Sequence, residues 1–217
     1  MDSADDRQSA LDRLRPELKL AAGLVPVVGP ALAQYIDDHA ERRRARIAAV
    51  GRSFSSESGA DPENLLAVAA AHERLSDLVA DVMESAQRTS SERKLAAFGR
   101  ILASGFLAHD DAAVDELELI HAAVRDMEGG HLRVLDRLAQ SGAGPTQSSA
   151  HHLGVPDYEL AAMFPNGVVV VYAILKTLER HGIAGPMTPP SQDLDQSILW
   201  SIWDFGLLLH RTILKAS

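Results

Sequence analysis

The chain has 217 residues, 46% of them hydrophobic but only 5% aromatic, and a formal net charge of −9. That length can bury a core, as one large domain or two small ones. With no cysteine in the chain, disulfides, thiolate catalysis and zinc-thiolate sites are excluded, and the acidic balance repels nucleic acid and anionic membrane at long range.

Alanine and leucine abound where strand cores would favour aromatic and β-branched residues, so the chain leans helical. The start, "MDSADDRQSA", is acidic. It lacks the basic-then-apolar pattern of a secretory signal, and a cytoplasmic protein is expected. Leu11, Leu14 and Leu18 recur at helical spacing, with Pro16 as a kink or restart. The apolar stretch Leu20 to Ile36 approaches the length of a spanning helix. However, Pro26, Gly29 and Pro30 interrupt it, and proline breaks a helix interior. It reads as a turn between two buried helices, with a membrane-inserting hairpin as the minor alternative.

A second helix is predicted from Pro30 through Ile47, Val50 and Phe54, ending in "SFSSESGADP" as a loop. Asp61 and Pro62 then cap and open a third. It places Leu65, Val68, His72, Leu75, Leu78, Val82 and Met83 on one face, with His72 a hydrogen-bonded core residue. "TSSE", Thr89 to Glu92, reads as a capping box before a helix with Leu95, Phe98, Ile101, Leu102 and Phe106 inward. A fifth helix starts near Asp110 and is ended by Gly129 and Gly130.

Beyond Gly130 the pattern changes. "HLRVLDRLAQ" is a short helix, followed by a small-residue loop. "DYELAAMF" is another short helix with Asp157 as its cap. In "FPNGVVVVYAILKTLERHGIAG", Val168, Val171, Leu175 and Leu178 are spaced three, four, three, which is one face of a helix. Asn166 is its N-cap and Gly182 its stop. A strand ending at Val171 is the alternative, because β-branched runs favour strands. A proline-rich loop leads to a strand over Ile198 to Trp203, and Asp204 caps a last helix.

This order of elements from Gly130 to Leu214 resembles a winged-helix domain. "LRVLDRLAQ" looks like its first helix, "DYELAAMF" like its second and "GVVVVYAILKTLERHGIA" like its third. The cap and F-G pair of such folds would be Asp204, Phe205 and Gly206. The long loop before Asp157 departs from compact helix-turn-helix spacing. The N-terminal half, with "PVVGPALAQYI" and "RTSSERK", is similar to helical domains of uncharacterised bacterial proteins. The expected fold is therefore mainly α: a helical bundle over 1–111, then a linking helix and winged-helix-like α+β module over 112–217.

In a winged-helix protein the third helix would read DNA, using Arg, Asn, Gln or Lys near its start. Here the outward face is Val169, Val170, Ala173, Lys176 and Arg180, apolar in its first half. From Ala113 to Ser217 there are 7 Lys and Arg against 12 Asp and Glu, a net of −5, which is poor for phosphate contact. Exposed apolar faces more often meet protein. The leading expectation is a non-enzymatic bacterial interaction module, another copy of itself being one partner. Its contacts would be Val169, Val170, Ala173, Trp200 and Trp203, although the tryptophans could equally fill the core. The alternative is a DNA-binding regulator using Arg42, Arg43 and Arg46 of "ERRRARIAAVGR" with Lys176 and Arg180; the plainer reading of that run is a solvated face paired with Asp37, Asp38 and Glu41. No nucleotide, hydrolase or metal motif occurs. Cofactors, metals and catalysis are not expected, and "RTSSERK" is explained by capping alone.

Overall fold

The periodic apolar residues fold as helices, and a short sheet follows them. The structure, a computed structural model, describes residues 37–108, 110–141, 154–187 and 197–213. The N-terminal helix of Leu11 to Leu18, the apolar stretch Leu20 to Ile36, His109, the loop holding His151 and His152, and segment 188–196 lie outside these. The chain divides into two compact units, 1–45 and 46–217. In the first, residues 37–45 are helical, and Arg42 Nε donates to the Asp38 carbonyl at 3.1 Å.

The second unit opens with helix α1, residues 46–58, which buries Val50 and Phe54. The expected loop "SFSSESGADP" is therefore helical as far as Ser58. Ser58 Oγ donates to the Phe54 carbonyl at 2.8 Å, a back-bond that serine can make within a helix. Asp61 then caps α2, Pro62–Ala69, by accepting from Glu63 N, with Pro62 in the first turn as predicted.

The predicted third helix is two. After α2, the amides of Ala71 and His72 bond back three residues, to Val68 and Ala69. His72 is extended and exposed ahead of α3, Glu73–Arg88. It is thus no core residue. The break preserves the apolar spacing and so leaves no mark in the pattern. The cap of α4, Glu92–Leu107, is Ser91 rather than Thr89. Ser91 Oγ accepts from Lys94 N at 3.4 Å, while Thr89 Oγ1 accepts from Ser91 N at 3.2 Å.

Asp110 caps α5, Asp111–Asp126, through Ala113 N at 2.8 Å. Gly129 and Gly130 do not end it. They open α6, Gly129–Gln140, and a Cβ on Gly130 would fall 3.0 Å from the side chain of a later residue, at Ile174 Cδ1. The remaining elements are β1 (Val155–Pro156), α7 (Asp157–Ala161), α8 (Gly167–Arg180), β2 (Ala184–Met187), β3 (Leu199–Ile202) and α9 (Asp204–Ile213). Pro156, not Asp157, occupies the N-cap position of α7. Among the described residues the protein is mainly helical with a three-stranded antiparallel sheet in the order β1-β3-β2. Trp200 stands at the centre, paired with Val155 on one side and Pro186 on the other.

Around the expected junction at 111/112, α5 packs on both α3 and α4, and α9 returns to α4 and α6. Buried Phe98, Ile101 and Leu102 of α4 lie in the same core as Leu135 and Leu138 of α6. Phe54 and Phe106 meet edge to face, their centroids 5.6 Å apart. Where α1 faces α4, a Cβ on Gly99 would lie 2.4 Å from Ser53 Cβ and 2.7 Å from the Val50 carbonyl oxygen. Backbone cannot yield as a flexible side chain can, so this position admits only glycine.

Two substitutions test that close approach. Gly99→Ala should destabilise the protein by about 1–3 kcal/mol through overpacking. Gly51→Ala, whose Cβ would meet Pro62 at an ordinary 3.6 Å, should be neutral or stabilising by about 0.5–1 kcal/mol through helix propensity. Urea unfolding of both variants reads the contrast.

A candidate interaction surface on helix α8

Helix α8 forms because its apolar residues repeat at helical spacing over a span longer than the valine run. Gly167 at its start takes φ +41° and Gly182 just past its end takes φ +67°, left-handed conformations that glycine adopts at no steric cost. Asn166 occupies the N-cap position without a side-chain hydrogen bond. Inward, Val171, Ile174, Leu175 and Leu178 are buried, and α8 packs against α6, α7 and β2.

Val168 is not part of that inward face. It is 71% exposed, because the core begins at Val171 and the described residues do not cover the first turn. Val169 is 79% and Tyr172 58% exposed, and Ala173 is exposed as well. Val170 is half-buried and packs against the core edge. The first two turns of α8 thus present two valines, an alanine and a tyrosine to solvent. The spacing of Val168 and Tyr172, four apart, could have signalled a second outward stripe; the inward periodicity drew Val168 to the wrong face.

The tryptophans separate. Trp203 is 38% exposed, its ring lying over Gly185 of β2. Trp200 is 3% exposed and fills the chain's own core, the alternative left open for it, which removes it from any interface.

The cations beyond the apolar turns are already engaged. Lys176 Nζ donates to Glu179 at 2.6 Å and lies 5.6 Å from the Tyr172 ring centroid. The bond to Glu179 holds its ammonium above the usual lysine range. Arg180 donates to Asp126 Oδ2 at 3.0 Å, and His181 Nε2 lies 3.1 Å from the same oxygen. Partial burial pushes the Asp126 carboxyl up, but hydrogen bonds from His181 and Arg125 outweigh it and hold the group below the usual carboxylate range. Arg46 donates to the Gln87 carbonyl at 2.6 Å. Arg43 is exposed within the first unit, beside Arg42 and its bond to Asp38. The five cations considered for nucleic acid are therefore not gathered into one free basic patch within the second unit.

Among the described residues there is no group of three or more His, Asp or Glu placed to hold a metal. No helix among them is long and apolar enough to cross a membrane.

Asp126 fastens the end of α8 to the end of α5. Asp126→Asn should cost about 0.5–1 kcal/mol at neutral pH, a modest value because Arg180 is solvent-screened. The folded-state pKa is lowered, so the difference from wild type should be full above about pH 4 and shrink as pH falls below it. Denaturant titrations across that range check both size and sign.

No protein-family model, no curated protein and no solved structure matches the chain.

Proposed function

We propose that this is a non-enzymatic interaction module that self-associates through the first two turns of α8, carried on a winged-helix-like unit. The order α6, β1, α7, α8, β2, β3, α9 with an antiparallel β1-β3-β2 sheet supports the winged-helix reading. On that reading α8 takes the place of the helix that would enter the major groove.

The observation that carries the function is the exposure of Val168 and Val169 at that position. Base edges are recognised by paired hydrogen bonds, which valine cannot make. The segment joining β2 to β3 holds Asp193 and Asp195 and no Lys or Arg, the wrong charge for a wing that tracks phosphates. An apolar patch with few charges lets two acidic chains meet without burying like charges against each other. Val169, Val170, Ala173 and Trp203 are the contacts, joined by Val168 and Tyr172. Each large apolar side chain fully buried contributes roughly 1.5–3 kcal/mol, so a two-fold contact of this size sustains a dimer.

Sedimentation over a concentration series tests this. The mass should rise from monomer to dimer, and Val169→Glu should weaken association at least about 10-fold with unchanged circular dichroism. A wild-type chain that stays monomeric at every concentration ends the self-association reading. Duplex DNA affinity that falls steeply with salt, and weakens in Lys176→Ala and Arg180→Ala, would replace it with a DNA-binding regulator.

A further inference from the structure

The motif "RTSSERK" does more than cap a helix. The turn from α3 to α4 carries it to the start of α6, and between them lies a cavity of about 410 Å³, within the range of small-ligand pockets. Its charged lining is Arg88, Lys94 and Arg125 against one carboxylate, Glu128. We propose that this cavity binds the phosphate group of a small phosphorylated ligand.

Lys94 is the anchor. Its side chain is 4% exposed, and burial lowers its pKa against the opposing pull of Glu128. An ammonium has three donors. One goes to the Arg125 carbonyl at 2.9 Å. The Glu128 carboxylate stands at 3.7 Å and is itself 76% exposed, beyond hydrogen-bond length. Lys94 is therefore ion-paired with Glu128 and hydrogen-bonded once, and its ammonium keeps donor capacity at the cavity wall that a phosphate oxygen can take up.

The hydroxyls are set the same way. Thr89 Oγ1 and Ser91 Oγ, which both line the cavity, each accept a backbone N–H. Each keeps its own O–H to donate. Ser91 also stands at the N-terminus of α4, a helix of 16 residues, where first-turn amides and the helix dipole favour a negative group. Ser85, also on the lining, lies 3.0 Å from the Nε2 of buried His121, which fixes that wall.

Arg88 and Arg125 reach the cavity from the rim. Each is paired in the free protein, with Glu84 and Asp126. Both arginines are more than half exposed, and exposed pairs of this kind contribute little. A phosphate, accepting charge-assisted bonds from two guanidiniums and a buried ammonium, outcompetes them. Glu128 opposes the ligand: its carboxylate pairs with Lys94 and faces the first turn of α6, so a phosphate must compete with it for the ammonium. The site lies on the helical part of the second unit and does not depend on the role of α8.

Titration calorimetry of the full chain with pyrophosphate and with adenosine monophosphate reads the proposal. Saturable binding is expected. Arg88→Ala and Arg125→Ala, both at exposed positions, should each weaken it about 10-fold, with circular dichroism confirming that each variant is folded. Glu128→Gln should tighten it, by removing the one repulsive charge. Arg74→Ala, at the opposite end of α3, should change nothing. Absence of saturable binding up to about 10 mM overturns the proposal. So does binding that Arg88→Ala and Arg125→Ala leave unaltered, or that Glu128→Gln weakens.

Discussion

The second unit is organised by the burial of α4 on nearly every side. Its buried residues include Leu95, Ala97, Phe98, Gly99, Ile101, Leu102, Ala103 and Gly105. The small ones let α1 and α3 come close, while the large ones fill the space between helices. A helix buried all round must also satisfy its charged residues internally. Arg100 does so by donating to Glu57 at 2.9 Å and to the Thr212 carbonyl at 3.0 Å. It thereby links α4 to α1 and to α9, near the two ends of the unit. Removing Glu57 would leave the buried Arg100 guanidinium short of its carboxylate, which is costly in a poor solvent. Lys94, earlier in the same helix, is also buried; it donates to the Arg125 carbonyl, pairs with Glu128 and borders the cavity at the start of α6.

Function, on the reading proposed here, comes from surfaces this core leaves over. Helix α8 is amphipathic in its middle and end, where Val171, Ile174, Leu175 and Leu178 meet α6, α7 and β2. At its start it is apolar on the outside too. On the proposed reading, that outer apolar face is where a second copy of the chain docks. The polar half of α8 is tied to α5 through Asp126, while Lys176 pairs with Glu179 within the helix itself. On that reading the start of the helix serves contact, while its end is attached to α5 through Arg180 and Asp126.

Much of the helix pattern was legible in the residues. Asp61 with Pro62, and Asp110, act as caps where their position before a periodic run implies it. Periodicity across the four valines identified α8 as a helix against the local preference of β-branched residues. The failures have particular causes. The break at Ala70 and Ala71 keeps the apolar spacing intact. Thr89 and Ser91 can both cap by chemistry, and only geometry selects Ser91. Gly129 and Gly130 look like a stop, yet they start α6, where Gly130 packs closely against the side chain of Ile174. Trp200 and Trp203 stand three apart and differ in exposure because one is at the centre of a three-stranded sheet and the other is past its end.

The sequence by itself determined the helical class, the caps at Asp61 and Asp110 and the acidic character, since helix propensity, capping and charge depend on residues within a few positions of one another. The tertiary structure alone decided which face of α8 meets water and which tryptophan is buried. It also decided that Arg88, Lys94 and Arg125 border one cavity. Those outcomes depend on contacts between residues tens of positions apart, and only the packing of complete helices brings such residues together.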